Sequence, residues 1–336
     1  MRGFRLKCAA AVGIGTALAI SLGSPPAGAA PFPPEPDSRS QIPLVSGPPQ
    51  SNHPDASRYA RAHPGVAPTG VNDFECVPSP SHPRPVVLLH GTDSNAYSDY
   101  AALGPRLADA GFCVYAVNYG GQRDAVTFGT EDIPTSAGQV ARFVDEVRAA
   151  TGAEDVDLVG YSQGATVARY YINRLDGSDH VARWVGLASP TYGSSLYGLV
   201  PLAEQIPGSM DLAVKILPPE VVSTALWQQA QGSTFLAGLN NPADTAPGVD
   251  YTTIGSRVDE VIQPVSKVAL RDPAATNLII GDLCASNQTG HFRMPYDDFA
   301  MGLVVVALDP DVGATARCTT VPLGEGVLPM IIAENS

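Results

Sequence analysis

Residues 156–164 read VDLVGYSQG, and this stretch decides the fold. The run Val156-Asp157-Leu158-Val159, apolar except at Asp157, predicts a buried strand, and the apolar residues that follow Gly164 have the spacing of one face of a helix. A serine between two such elements, in the pattern G-x-S-x-G, is typical of a nucleophile on a tight strand-to-helix turn. Glycine is expected on both sides because a side chain there would collide with the strand or the helix. We therefore predict that Ser162 is a nucleophile, with an ordinary glycine-rich turn as the alternative.

Short apolar runs alternate with amphipathic stretches from about residue 86 onward. Such alternation is typical of parallel strands joined by crossover helices. The predicted strands are 86–89, 112–118, 156–161, 184–188, 251–255 and 277–280, and the predicted helices are 97–110, 136–150, 163–173 and 296–308. This predicts an α/β fold with a mostly parallel sheet flanked by helices. Residues 190–247 interrupt the alternation, and their apolar run predicts an insertion that caps a cleft.

A serine hydroxyl is a poor nucleophile at neutral pH, so a base must lie next to it. In sites of this kind the chain order is serine, acid, histidine, which leaves His180 and His291 as candidates. His180 precedes a predicted strand and belongs to the wrong edge of the sheet, whereas His291 follows the last strand after a loop. We predict that His291 takes the proton from Ser162, and the alternative is a surface histidine.

The acid that orients His291 is expected just after the preceding strand. Asp259 lies there, four residues beyond Gly255. Glu260 and Asp282 remain alternatives for the same role. If Asp259 is the acid, we expect Glu260 to point elsewhere from the same loop, so that its loss changes only surface charge.

The sequence His90-Gly91-Thr92 ends the first clear strand. This is the place from which such a fold supplies part of an oxyanion hole. We predict that the backbone N–H groups of Thr92 and Gln163 are the donors, with the Thr92 hydroxyl as a third. His90 precedes Ser162 in the chain and is expected to order a loop rather than act as the base.

The composition is that of an ordinary globular protein, with 44% hydrophobic and 16% charged residues among 336. The net charge of −13 argues against nucleic acid as a partner. No calcium-loop spacing stands out. Because a serine nucleophile with a histidine base needs neither a metal nor an organic cofactor, we expect none. We also expect a monomer.

Residues 1–29 are predicted to be a signal peptide, because a basic start precedes an apolar run and a small-residue cleavage pattern ends at Ala29. Export follows, and we expect no transmembrane segment after cleavage; a retained membrane anchor is the alternative. Residues 30–57 are rich in proline and predict a linker or an extended arm, or else an ordered strap across the surface. Residues 58–336 then form the folded domain.

Four cysteines remain after the predicted cleavage: Cys76, Cys113, Cys284 and Cys318. An even number in an exported protein favours disulfides, each stabilising the fold by roughly 3–4 kcal/mol in the chain-entropy model. Three pairings are possible, and the one between sequence neighbours closes two loops of some 35 residues. A zinc site is the alternative, but no close pair of cysteines supports it.

Together, these segments resemble the secreted actinobacterial triacylglycerol lipases and esterases of the α/β-hydrolase superfamily over about residues 76–310. The resemblance is carried by VVLLHGT at 86–92, GFCVY at 111–115, VDLVGYSQG at 156–164, RVDEV at 257–261, DLC at 282–284 and His291. It implies a triad for ester hydrolysis at Ser162, Asp259 and His291, and it supports the bridges Cys76–Cys113 and Cys284–Cys318. The sequence departs from the family at Tyr161, where histidine is usual, at Ala165, where glycine is usual, and near Trp227, where a cysteine pair is missing.

The function implied by this resemblance is hydrolysis of carboxylic esters through an acyl-enzyme on Ser162. Lipid esters such as triacylglycerols, met at a lipid–water interface, are the expected substrates, because the predicted insertion is apolar; a buried cap with no interfacial role is the alternative for that insertion. A short-chain esterase or an acyltransferase with the same triad is the alternative. A hydrolase-like binding protein without catalysis is a further one, but it would lack a triad member, and none is missing.

Overall fold

The computed structural model describes residues 41–122, 124–195, 222–310 and 316–326. Two short strands, β1 (Val45–Gly47) and β2 (Val66–Pro68), pair in parallel. The other strands of the described residues are β3 (Val86–Leu89), β4 (Val114–Val117), β5 (Val156–Tyr161), β6 (Val181–Leu187), β7 (Asp250–Gly255) and β8 (Thr276–Ile279). These six form one parallel sheet in the order β4-β3-β5-β6-β7-β8. All six predicted strands and the parallel sheet are therefore confirmed.

Helices connect and cover these strands. They are α1 (His53–Ala62), α2 (Ala96–Tyr100), α3 (Leu103–Asp109), α4 (Ile133–Thr151), α5 (Gln163–Arg174), α6 (Thr224–Gln228), α7 (Thr234–Leu239), α8 (Ile280–Leu283) and α9 (Asp298–Leu308). One face of the sheet packs against α4 and α5, and the other against α2, α3 and α9. Every residue of β3, β4 and β5 is buried, which explains why β3 and β4 appear in the sequence as apolar runs. The one charged residue of β5, Asp157, is buried with Arg84 as its partner at 2.8 Å.

The predicted helix 97–110 is wrong in one respect, because the structure divides it into α2 and α3. Pro105 lies in the first turn of α3. Proline has no backbone N–H, and its ring would collide with the carbonyl of residue 101 in a continuous helix. The chain therefore starts a new helix shortly before Pro105.

The N-terminal region has more structure than its proline content indicates. The predicted boundary at residue 57 falls inside α1, so that boundary is wrong as a division between an arm and a folded domain. The side chain of Asn52 caps α1 by accepting the N–H of Asp55 at 2.9 Å, and Pro54 lies in its first turn. The predicted signal peptide 1–29 and residues 30–40 lie outside the described residues.

The predicted cap, 190–247, is described only in part. Most of its apolar run falls within residues 196–221, outside the described residues. The remainder contains α6 and α7, and Ser194 pairs with Ala230 through a β-bridge. In the described ranges no helix is long and apolar enough to cross a bilayer.

Both bridges that the resemblance supported are present. Cys76 is bonded to Cys113, and Cys284 to Cys318. The first ties the loop before β3 to the start of β4. The second joins Cys284, at the end of α8, to Cys318, and Cys284 lies seven residues before His291.

Candidate active site

The turn between β5 and α5 presents Ser162 at the carboxyl end of the sheet. Ser162 has φ 50° and ψ −118°, and its N–H donates to the carbonyl of Leu187 at 2.8 Å. A β-carbon at Gly160 would lie 2.3 Å from the nitrogen of Ala165, and one at Gly164 would lie 1.8 Å from the oxygen of Leu89. Both contacts are with backbone that cannot move aside cheaply. The two glycines are thus required by the close approach of neighbouring main chain, as the sequence predicted.

Ser162, His291 and Asp259 form a continuous hydrogen-bonded chain. The Nε2 atom of His291 lies 3.1 Å from the Ser162 hydroxyl, and its Nδ1 atom lies 2.9 Å from Oδ2 of Asp259. The other carboxylate oxygen of Asp259 accepts the N–H groups of Val261 and Ile262 at 2.8 and 2.7 Å. Because these bonds fix the carboxylate, it can orient the imidazole with its proton on Nδ1, leaving Nε2 to accept a proton from Ser162.

The charges around His291 favour its protonated form. Burial of the imidazole lowers its pKa, but the charge of Asp259, its hydrogen bond and the charges of Glu260 and Asp99 more than offset burial, so the pKa is raised. A base with a raised pKa holds a transferred proton more firmly. The surroundings of His291 therefore suit a group that must take a proton and carry it briefly.

The main chain of His291 is held by two further residues, and here one expectation was wrong. Glu260 does not contribute only surface charge: its carboxylate accepts the N–H of His291 at 2.5 Å. The Tyr161 hydroxyl donates to the carbonyl of the same residue at 3.0 Å. A β-carbon at Gly290 would lie 2.0 Å from the Glu260 carboxylate, so glycine leaves room for this contact. Glu260 therefore meets the backbone of His291, while Asp259 meets its ring.

The structure does not bring the other candidates into the site. Asp282 forms an exposed ion pair with Arg257 at 2.7 Å. His180 precedes β6 at the amino edge of the sheet, opposite to Ser162. The Nδ1 atom of His90 is bonded to the carbonyl of Gly91 at 2.8 Å, and burial lowers the pKa of its ring, which keeps the ring neutral. His90 thus orders the strand end, as expected.

The two predicted oxyanion donors, Thr92 after β3 and Gln163 at the start of α5, are in hydrogen-bond contact through their side chains. Gln163 is the first residue of α5, so its backbone N–H has no partner within the helix. The Thr92 hydroxyl oxygen accepts the side-chain amides of Gln163 and Gln229 at 3.0 and 3.2 Å. With both lone pairs engaged, its hydrogen remains available for donation into the cleft. The roles of Thr92 and Gln163 toward a substrate stay predictions.

A cleft of about 250 Å³ opens over Ser162 and His291. Part of its wall is apolar and comes from the segment after β6, from α6 and from the residues that follow Asp259 and His291: Pro190, Leu226, Val261, Ile262 and Phe292. Another part is polar and includes His53, Asp93 and Ser94. Among the residues described, no group of three or more histidine, cysteine or acidic side chains is placed to hold a metal ion.

Sequence reasoning missed several residues of this site. Gln229 lies in the predicted insertion, 137 residues from its partner Thr92, and a glutamine there gives no signal of such a contact. His53 lies in the proline-rich region that predicted an arm. Tyr161 was noted only as a departure from the family. Only its position directly before Ser162 could have indicated a role in the site.

The fold and the site together define the α/β-hydrolase class. In this class a parallel sheet carries a serine on the strained turn after a central strand, here β5, and an acid and a histidine follow the serine in the chain. Solved structures agree on the fold. Lipase B of Aspergillus fumigatus has a TM-score of 0.56 and 20% identity over 77% of this chain and 65% of its own. The mature lipase BlEst2 of Bacillus licheniformis has a TM-score of 0.51 and 18% identity over 70% of this chain and 96% of its own.

Sequence comparison narrows the class to a family. The class 2 lipase model matches residues 83–291. Triacylglycerol lipases of Pseudarthrobacter phenanthrenivorans and Burkholderia plantarii are each 37% identical to this chain over 273 residues. These matches span 70% of this chain and 82% and 73% of the two relatives. The chain belongs to the class 2 lipase family.

Proposed function

We propose that the protein is a secreted lipase that hydrolyses carboxylic esters of lipids through an acyl-enzyme on Ser162. The observation that carries the proposal is the chain from the Ser162 hydroxyl through His291 to Asp259, with 3.1 and 2.9 Å between successive partners. Membership in the class 2 lipase family and the two relatives named as triacylglycerol lipases support the choice of lipid esters.

In the first half-reaction the Ser162 oxygen attacks the ester carbonyl carbon while Nε2 of His291 takes the hydroxyl proton. The carbonyl oxygen becomes an oxyanion, for which the N–H groups of Thr92 and Gln163 and the Thr92 hydroxyl are the proposed donors. His291 then gives the proton to the leaving alcohol oxygen, and the C–O bond breaks. Water repeats the sequence on the acyl-enzyme, releasing the fatty acid and restoring Ser162.

The test compares the wild type with Ser162→Ala and with Ser194→Ala, a second serine in the wall of the same cleft. We expect Ser162→Ala to lose about 10⁴–10⁶-fold in turnover and to lose labelling by a fluorophosphonate probe. Ser194→Ala should keep both, within about threefold in rate, because its hydroxyl donates to the carbonyl of Val261 and not to His291. A folded Ser162→Ala enzyme with near-normal activity would rule out the acyl-enzyme.

The substrate class is tested with p-nitrophenyl esters of increasing acyl length beside emulsified triglyceride. A lipase should prefer the longer chains and the emulsion. A preference for short soluble esters would identify a short-chain esterase, and formation of a new ester from an added alcohol would identify an acyltransferase. Either result would replace the proposed lipid substrate or reaction, and the assignment of Ser162, Asp259 and His291 would still stand.

Secretion is proposed from the predicted signal peptide and from the two disulfides, which are typical of oxidising compartments. Sequencing the N-terminus of the protein from a culture supernatant should give a chain that starts near residue 30. Retention of the whole chain inside the cell would contradict export.

A further inference from the structure

His53 is supplied to the catalytic cleft by a part of the chain that precedes the region matched by the class 2 lipase model. That model begins at residue 83, whereas His53 is the first residue of α1. Its side chain is 15% exposed and lines the cleft beside Ser162 and His291. The segment 41–62 therefore contributes to the wall of the candidate active site.

Helix α1 is seated firmly against the domain. Ala56 and Ala60 are buried in a small apolar cluster with Tyr97, and the rings of Tyr59 and Tyr97 stack with centroids 5.3 Å apart. The Tyr97 hydroxyl donates to the carbonyl of Pro48 at 2.6 Å. The position of His53 is thus fixed by packing that lies away from the cleft.

Both ring nitrogens of His53 have protein partners. Nε2 lies 3.1 Å from Oδ1 of Asp99, and the Ser57 hydroxyl lies 3.1 Å from Nδ1. Asp99 can only accept when ionised, so Nε2 carries the proton that it donates, and Nδ1 accepts from Ser57. With both nitrogens engaged, the ring is built to hold Asp99 rather than to hydrogen-bond a substrate.

Asp99 connects His53 to Gly91, which directly precedes the predicted oxyanion donor Thr92. Its carboxylate is fully buried, and its Oδ2 atom accepts the N–H of Gly91 at 2.7 Å. Its Oδ1 atom accepts the Ser94 hydroxyl at 2.8 Å as well as His53. Burial raises the pKa of Asp99, but the hydrogen bonds that it accepts from His53 and from the Gly91 N–H outweigh burial and bring the pKa below the usual value. The carboxylate therefore stays ionised and holds the residue directly before Thr92.

We propose that His53 is a positioning residue: through Asp99 it fixes Gly91 and Thr92 in the orientation that an oxyanion requires. The segment 41–62 is thereby part of the working active site. This inference rests on the proposed function, because it assigns a role in stabilising the tetrahedral intermediate formed at Ser162. Small displacements of such groups are costly, since a misplacement of about 1 Å can lower a rate about 100-fold.

The test uses the full chain with His53→Ala, His53→Gln and, as a matched control, His63→Ala. His63 directly follows α1 and the segment 41–62, stacks on Tyr59 and is exposed. We expect His53→Ala to lower kcat about 10- to 100-fold with KM changed less than about threefold. His53→Gln keeps a donor for Asp99 and should lose less, and His63→Ala should stay within about twofold.

The decisive readout is the affinity for a trifluoromethyl ketone, whose adduct with Ser162 carries an oxyanion. In His53→Ala its inhibition constant should rise by the same factor by which kcat/KM falls, and added imidazole should restore part of both. Unchanged inhibitor affinity, or kcat within about twofold of wild type in folded His53→Ala, would overturn the proposal. If His53→Ala does not fold, His53→Leu decides, because leucine fills the space of the ring but cannot donate to Asp99. Full kcat with full inhibitor affinity in His53→Leu would equally overturn the proposal.

Failure of this inference and failure of the proposed function give different results. If only the role of His53 is wrong, the wild type still reacts with a fluorophosphonate at Ser162, and Ser162→Ala is still inactive. If the acyl-enzyme mechanism is wrong, those two results fail in the wild-type background, whatever His53 does.

Discussion

The serine turn, residues 160–164, and the histidine loop, residues 284–297, are joined by hydrogen bonds from Ser162 and Tyr161 to His291, but they are built in different ways. The serine turn is fixed by backbone contacts, since β-carbons at Gly160 and Gly164 would overlap main-chain atoms. The histidine loop is fixed by side chains from elsewhere in the sequence, since Glu260 accepts the N–H of His291 and Tyr161, from the serine turn itself, donates to its carbonyl. The first arrangement tolerates no added atom, whereas the second can be weakened in steps.

The largest effect is expected where the serine turn is altered at Gly164. In Gly164→Ala the new methyl would lie 1.8 Å from the carbonyl oxygen of Leu89, in the adjacent buried strand. We expect a loss of about 3 kcal/mol or more in the free energy of unfolding and no measurable ester hydrolysis. Thermal unfolding and a p-nitrophenyl ester assay measure both.

Gly138→Ala is the matched control for that substitution. Gly138 lies within α4, and the nearest atom to an added β-carbon is the Arg142 side chain at 3.9 Å. Alanine there should leave activity unchanged and stabilise the helix by about 0.5–1 kcal/mol. A stable, active Gly164→Ala protein would show that the turn is not as tightly constrained as its contacts require.

In the histidine loop the strongest effect is expected from the ring contact. Asp259→Asn should lower turnover about 10⁴-fold while preserving the fold, because an amide favours the wrong tautomer of His291 and cannot stabilise the imidazolium. Asp282→Asn should leave turnover near the wild-type value, since Asp282 pairs with the exposed Arg257. Turnover on one soluble ester, with circular dichroism spectra, separates the two. The opposite ranking would transfer the acid role to Asp282.

The contrast between the two regions also explains what the sequence could predict. The serine turn depends on neighbours in the chain, so the strand, the serine and the helix were all evident from residues 156–174. Asp259 and His291 could be placed because chain order restricts them to the ends of known strands. Position alone does not reveal which atoms of a histidine a neighbouring carboxylate will meet, and Glu260 was misplaced for that reason.

The N-terminal region was missed for a different physical reason. Its prolines are compatible with two opposite predictions, because proline prevents a helix from continuing but is favoured in the first turn of a helix. At Asn52-His53-Pro54 the proline lies in the first turn of a helix, and α1 begins there. The contact from His53 to Asp99 spans 46 positions and leaves no periodic pattern, so only the folded chain reveals it.

An intermediate effect is expected at Gly290, where the contact of Glu260 with the main chain of His291 can be tested apart from the contact of Asp259 with the ring. A methyl in Gly290→Ala would displace the Glu260 carboxylate, which is the far end of a flexible side chain, and leave the N–H of His291 without its acceptor. We expect Gly290→Ala and Glu260→Ala each to lower kcat roughly 10-fold, because the imidazole is then less well placed.

The double variant decides whether these two changes act through one contact. If they do, Gly290→Ala with Glu260→Ala should be no slower than either single variant, and the free-energy changes should be strongly non-additive. Losses that multiply would mean that Gly290 serves the loop in another way. The cycle is measured with kcat on one ester for the four proteins.

The smallest effect, and the most specific, is expected from Glu260→Gln as a change in pH dependence. The glutamine oxygen can still accept the N–H of His291, so the loop should keep its shape while losing one negative charge. That charge helps to raise the pKa of His291, and its removal should lower this pKa.

His291 acts as a base only when neutral, and it becomes protonated as the pH falls through its pKa. The acid limb of kcat/KM should therefore move to lower pH in Glu260→Gln, with the plateau at higher pH nearly unchanged, whereas Asp282→Asn should not move it. An acid limb that stays in place, or moves to higher pH, would mean that the charge of Glu260 is not felt at the imidazole and that only the backbone contact matters.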